Sequence, residues 1–184
     1  MTDRAAAWIA EQVPPDRDLE RDELVELAVA VGEKRPLWDE LVRFDPEERV
    51  YVELYRDVHL DVWLISWLEH QDTGFHDHDR SDGAVYVCEG ALAEERLQAE
   101  NSVIGEIAVE RRAGTMFPFD SARIHRMRNV GKEPAVSIHV YSPALWRMGH
   151  YGFDDAATLS RASITYADEM WTGRASELGA GFSP

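Results

Sequence analysis

From Arg49 onward the chain is a succession of short apolar or alternating runs, separated by turn residues and with no helical period between them. The runs are "RVYVELYR", "LDVWLISWL", "GAVYVCEG", "IGEIAVERR", "GTMFPF", "HRMRNV", "AVSIHVYS" and "ASITYADEMW", all rich in β-branched and aromatic residues. Consecutive strands of this length without crossover helices argue for an antiparallel sandwich or barrel, with inward and outward positions alternating. The chain before Arg49 has the other period. "DLERDELVELAVAVGEKR" puts Leu24, Leu27, Ala28 and Val31 on one helical face, with Asp18 as the expected cap. Thr2 is expected to cap a short helix through Trp8 and Ile9 that stops at Pro14 and Pro15. Pro36 is expected to open another through Trp38, Leu41 and Val42. The expected organisation is one domain over residues 1–184, helical over 1–48 and a β-barrel core over 49–175, with "ASELGAGFSP" as a fraying tail.

With 184 residues, 45% of them hydrophobic and six tryptophans, the chain can bury a substantial core. Nineteen basic against thirty-five acidic residues give a net charge of -16, which repels phosphate backbones and anionic lipid and argues against nucleic acid and membrane partners. The opening residues lack a basic start and a long apolar stretch, so the expectation is a cytoplasmic monomer. A single cysteine, Cys88, excludes an internal disulfide framework or a thiolate zinc cluster, and reads as a small buried apolar residue. Any metal would therefore be held by histidine or carboxylate.

The segment "GFHDHDRSDGAVYVCEG" spaces His76 and His78 two apart, so on a strand both rings point to one side and Asp77 to the other. A second segment, with Gly114, Pro118, His125 and Asn129 at the spacing of turn, strand start, inward ligand and turn, makes His125 the natural third ligand. An isolated H-x-H pair is more often a surface or core doublet; the second segment is what changes that reading. Zinc would accept three histidines and a water as readily as iron would accept them.

Together the two segments resemble the motifs of the cupin fold, G-x5-H-x-H followed by glycine and P-x6-H-x3-N, the first imperfect at its leading end. The glutamate that most cupins carry after H-x-H is replaced here by Gly83. With "WLISWLEHQDTGFHDHDRSDGAVYVCEGALAEE" and "IHRMRNVGKEPAVSIHVYSP", residues 49–151 resemble the cysteine dioxygenase family, particularly its short bacterial members. The resemblance implies a mainly β cupin barrel (double-stranded β-helix, jelly-roll) with Fe(2+) on His76, His78 and His125, no organic cofactor, and a small thiol plus O2 as substrates.

The resemblance also assigns roles. Arg56 takes the position of the carboxylate-binding arginine, the alternative being a rim arginine paired with Asp57 or Asp61. Ser137, His139 and Tyr141 share one face of a strand and would form a relay ending in a phenol near the metal, and the Ser142–Pro143 bond would be cis. In animal members a cysteine is crosslinked to this tyrosine, but Gly83 stands there; Cys88, an odd number of residues away, faces the other side, so no crosslink is expected. Trp67 either walls the substrate pocket or fills the core. Met127 and Met148 read as packing, His59, His70 and His150 as solvated, and Asn129 as a turn anchor.

The expected activity is oxidation of L-cysteine to cysteine sulfinate. Its rivals are a dioxygenase for 3-mercaptopropionate or another small thiol, with Arg147 or Arg161 holding the carboxylate; a non-catalytic metal- or ligand-binding cupin; and a zinc or nickel isomerase or hydrolase.

Overall fold

The computed structural model describes residues 2–100, 103–153 and 158–165. Two helices precede the strands: α1, Thr2–Ala10, and α2, Arg21–Glu33. The apolar face of α2 is the expected one, since Leu24, Leu27, Ala28 and Val31 are all buried. Its cap is not. Glu20 occupies the cap position, where its amide donates to the Glu23 carboxylate at 2.8 Å. Asp18 lies outside the helix, with its carboxylate 2.8 Å from His59 Nδ1. The helix expected from Pro36 is two short 3-10 turns, Arg35–Leu37 and Asp39–Leu41. Trp38 breaks it, because its indole turns back to donate to the Val31 and Gly32 carbonyls at the end of α2. No helix among the described residues is long and apolar enough to cross a membrane.

Eleven strands follow among the described residues: β1 Val50–Arg56, β2 Asp61–Trp67, β3 Phe75–Asp77, β4 Asp82–Glu89, β5 Ala91–Glu100, β6 Val103–Arg112, β7 Met116–Phe119, β8 His125–Arg128, β9 Ala135–Ser142, β10 Arg147–Phe153 and β11 Leu159–Thr165. They form two sheets with orders β1-β2-β9-β4-β7 and β11-β10-β3-β8-β5-β6, and every pairing between them is antiparallel. Two of these strands escape sequence patterning. The β5 stretch "ALAEERLQAE" has the composition of a helix, yet it is held between β6 and β8, and this ladder overrides its local preference. In β10, "RMGHYGF" lacks a clear alternation. The last expected strand is described only as far as Thr165; its remainder and the tail 175–184 lie outside the described residues.

One core fills the space between the sheets, with Trp63, Ile65, Trp67, Val85, Val87 and Phe119 among its members. A second lies on the outer face of the first sheet, where Val62, Leu64, Ala84, Ile138 and Val140 meet the helices. The helices therefore cover a sheet rather than capping the barrel end. At Gly32 the approach is close enough that a Cβ would lie 2.2 Å from the Tyr86 ring. This helix layer explains β9, which is buried along its whole length. Its apolar residues Val136, Ile138 and Val140 face the helices, and its polar residues Ser137, His139 and Tyr141 face the barrel interior. A polar row aimed inward is the pattern of a site, not of packing.

Strand β3 is only three residues long, and what holds it is Asp77. This buried carboxylate accepts from Arg161 Nε and Nη2 at 2.6 and 2.8 Å, from the Tyr151 hydroxyl at 2.6 Å and from the Gly149 amide at 3.2 Å. Glycine at position 149 leaves room for this guanidinium, since a Cβ there would sit 2.1 Å from Arg161 Nε and displace it. Burial pushes the Asp77 carboxyl up, but hydrogen bonds from Arg161, Tyr151 and the Asp79 amide outweigh it and leave the group at about 2. Arg161→Ala is expected to destabilise the fold by roughly 1–3 kcal/mol at pH 7, discounted because the arginine is 33% exposed. The depressed carboxyl makes this contribution fully present above about pH 4 and lost as pH falls toward 2. Thermal unfolding of the two proteins from pH 7 to pH 3 checks it: an unchanged midpoint at pH 7 would remove Asp77–Arg161 as the anchor.

Candidate metal centre

Short pairings bring the three histidines together. On β3, His76 pairs with His125 of β8 on one side and with His150 of β10 on the other, and His78 follows just past the strand. One ring nitrogen from each of His76, His78 and His125 lies within 4.8 Å of the other two. All three side chains are buried. Burial is the main cause lowering their affinity for protons, and their mutual repulsion adds to it at His76 and His78, so the imidazoles are held neutral.

The tautomers follow from what lies behind each ring. Gly74, at φ +65, closes a turn in which the Asp72 carboxylate accepts its amide at 2.7 Å. Its carbonyl stands 3.0 Å from His76 Nδ1, so Nδ1 carries the hydrogen and Nε2 points inward. Behind His125, Glu94 lies 3.5 Å from Nδ1. Glu94 is fully buried and ionised because Arg96, Arg111 and Arg123 surround it. His78 differs: neither ring nitrogen has a hydrogen-bond partner among the described residues, although both are buried. Unsatisfied buried nitrogens on converging neutral imidazoles fit a divalent metal, and three such ligands leave coordination positions open.

Beside the histidines is a cavity of about 50 Å³. His76, His125, His139, Tyr141 and Arg49 form its polar side, and Tyr51, Trp63, Ile65, Leu145 and the two methionines Met127 and Met148 its apolar walls. Among the described residues no carboxylate lines it. His78 lies at the boundary with a wider, open cleft that also includes Arg56, His59, Arg80 and Trp146.

The three residues of β9 form a hydrogen-bonded chain that begins at Trp67. The Trp67 indole, which can only donate, gives its hydrogen to Ser137 Oγ at 2.9 Å. The fully buried Ser137 hydroxyl is also hydrogen-bonded to His139 Nε2 at 2.9 Å. His139 Nδ1, on the other side of the ring, faces the Tyr141 oxygen at 3.2 Å. Burial, followed by the charges of His125 and Arg49, pushes His139 down to about 3, which keeps it neutral. Tyr141, held at the end of this chain by His139, lines the cavity. The following Ser142–Pro143 bond is cis.

Arg56 does not line this cavity. It donates to Asp61 at 2.9 Å and to the Leu145 carbonyl at 2.9 Å, which is the rim pairing. Burial pushes Asp61 up to about 7, with Arg56 and the Leu145 amide partly opposing the rise. The guanidinium in the cavity is that of Arg49, 6% exposed, with its Cζ 5.1 Å from the Tyr51 ring and 5.4 Å from the Trp67 ring. The resemblance pointed to Arg56, at the far end of β1, whereas Arg49 lies just before the strand and lines the cavity together with Tyr51. Of the two readings of Trp67, pocket wall or core, the structure has the core: the side chain lies behind the cavity lining, hydrogen-bonded to Ser137 and beside Arg49. Arg147 pairs with Asp79 and Arg161 with Asp77, so neither rival arginine faces the cavity.

Other expectations are corrected or refined. His150 is 8% exposed, not solvated, and its ring stacks 6.2 Å from that of His76. Met127 and Met148 are buried, as packing requires, and also wall the cavity. Asn129 anchors its turn through the Gly131 amide at 2.9 Å and the Glu133 carbonyl at 2.8 Å. Cys88 packs against the helix-side core, where burial pushes its thiol up to about 12.

The fold has known counterparts. The TT1209 protein of Thermus thermophilus is 23% identical over 57% of this chain and 92% of its own, with a TM-score of 0.50. A protein of Klebsiella pneumoniae subsp. pneumoniae, described as having a double-stranded beta-helix domain, is 19% identical over 67% of this chain and 92% of its own, with a TM-score of 0.45. A recombinant oxalate oxidase in complex with glycolate is 20% identical over 58% of this chain and 56% of its own, with a TM-score of 0.49. The likeness to TT1209 bears on architecture alone, and the architecture, two antiparallel sheets enclosing a core, is that of a cupin. The sequence itself matches the description of cysteine dioxygenase type I over residues 9–153, a span that takes in both histidine segments, Arg49 and the β9 relay, and the chain belongs to that family.

Proposed function

We propose that this protein oxidises a small thiol carboxylate to its sulfinate with dioxygen, that L-cysteine is the substrate, and that iron(II) on His76, His78 and His125 is the metal. The observation that carries the reading is Arg49: a buried guanidinium in the same small cavity as two of the three histidines and the Tyr141 phenol. A planar fork there suits a carboxylate held by two parallel hydrogen bonds, which would leave the substrate's sulfur end toward the histidines. When bound, iron(II) supplies a seat for the thiolate and an electron partner for dioxygen. In the overall reaction the S–H and O–O bonds break and two S–O bonds form, sulfur giving four electrons and dioxygen taking them.

The chain's own residues do the rest. Arg49 orients the substrate, and the apolar walls keep bulk water from the sulfur. The chain Trp67–Ser137–His139 holds the Tyr141 phenol at the cavity wall, where its role is to give a proton to an oxygen as charge develops there. A purely binding cupin has no need of a hydrogen-bond chain that orients a phenol. The absence of a lining carboxylate among the described residues also favours a second substrate, 3-mercaptopropionate, because an ammonium not engaged by the metal would find no anionic partner.

Oxygen uptake by anaerobically iron(II)-loaded protein, given cysteine or 3-mercaptopropionate, tests the reading. One sulfinate per O2 with cysteine is expected. Preference for the second thiol would change the substrate only, and no uptake with either despite bound iron would end the dioxygenase reading. Arg49→Ala is expected to raise KM for the carboxylate substrate on the order of 100-fold, whereas Arg56→Ala leaves it within about 3-fold. The reverse order in steady-state kinetics would return the substrate role to Arg56. Tyr141→Phe is expected to lower kcat by on the order of 100-fold with little change in KM, and a kcat equal to that of the native protein would exclude the phenol from proton transfer.

A further inference from the structure

Of the three clustered histidines, two have a polar group behind the ring: the Gly74 carbonyl behind His76 and the Glu94 carboxylate behind His125. Metal-ligating histidines are usually fixed in this way. His78 has no such partner among the described residues. What it has is an aromatic face. The Phe119 ring stacks on His78 with centroids 4.5 Å apart and planes at 29°. The same ring lies 4.9 Å from His125 and 6.0 Å from Tyr141, the latter edge-on at 61°, and Phe119 is 1% exposed.

The space this ring occupies is available for one reason. Gly83, on β4, is paired in register with Phe119 on one side and with Tyr141 on the other. A Cβ on residue 83 would lie 2.2 Å from Phe119 Cζ and 2.5 Å from Cε2. The missing side chain and the inserted ring are therefore one feature: a wedge laid over a glycine, reaching the ligand beyond it. Dispersion and quadrupole contacts of this kind restrain ring orientation without a hydrogen bond.

We infer that Phe119, seated over Gly83, is a positioning residue that orients the His78 imidazole toward the metal and restrains the Tyr141 phenol. The inference rests on the reading of His78 as ligand and Tyr141 as proton donor, but its first test does not depend on turnover. Co(II) affinity is measured by titration for the native protein, Phe119→Leu, Phe119→Ala and Val87→Ala, the last being a cut in the same interior core away from the histidines. Thermal midpoints are recorded in parallel.

Phe119→Leu, which keeps apolar bulk and loses the flat ring, is expected to bind Co(II) about 10-fold more weakly. Val87→Ala should lower the thermal midpoint while Co(II) affinity stays at the native value. In iron-loaded protein Phe119→Leu should also consume more than one O2 per sulfinate. Native Co(II) affinity in Phe119→Leu, or an equal loss in Val87→Ala, would overturn the inference even if Phe119→Ala failed to fold. Native protein that bound Co(II) but took up no oxygen with either thiol would sink the dioxygenase reading and leave the Phe119 result to stand on affinity. No Co(II) binding by the native protein would overturn both.

Discussion

Three imidazoles packed within 4.8 Å of one another in the interior of a barrel cannot carry charge together, and this constraint organises the rest of the molecule. Desolvation keeps the rings neutral, which is the form a metal ion requires, but it also removes the water that would otherwise satisfy their nitrogens. Each ring therefore needs something behind it to fix its direction. The backbone turn at Gly74, the buried Glu94 and the Phe119 ring are three different answers to that need.

The same economy governs the buried acids. The buried carboxylates around the site are each committed to arginine: Asp77 to Arg161, Glu94 to Arg96 and Arg111 with Arg123 nearby, and Asp61 to Arg56. None of these carboxylates lines the cavity, and the Asp77–Arg161, Glu94–Arg111 and Asp61–Arg56 pairs tie one strand to another. Glu94 takes a place behind a ligand in a chain where Gly83 stands at the position of the usual cupin glutamate. The cavity is left with Arg49 as its charged wall residue among those described, set between Tyr51 and Trp67. Pairing elsewhere is thus what gives this small space a single sign.

The helix layer matters to the site although it touches none of it. By covering the outer face of the first sheet, α1 and α2 let β9 bury its apolar residues away from the barrel and turn Ser137, His139 and Tyr141 inward. Without that cover Val136, Ile138 and Val140 would face water, at roughly 1.5–3 kcal/mol for each side chain exposed.

What could be read from the residues in order was whatever depends on local spacing. The period-2 runs named most of the strands, H-x-H put two rings on one side, alternation in "AVSIHVYS" put Ser137, His139 and Tyr141 on one face, and the spacing of "GTMFPFDSARIHRMRN" marked His125. Both histidine segments lie within the family match over residues 9–153. What depends on register between distant strands was not legible. Arg49 rather than Arg56 came to line the cavity, a ladder on both sides made a strand of the helix-like "ALAEERLQAE", and pairing of β10 with β3 buried His150. Spacing along a chain sets which side of its own strand a residue faces, but what stands opposite is decided by pairing across dozens of residues. Only the folded sheets could therefore show that Phe119 fills the space over Gly83, or which arginine stands beside the histidines.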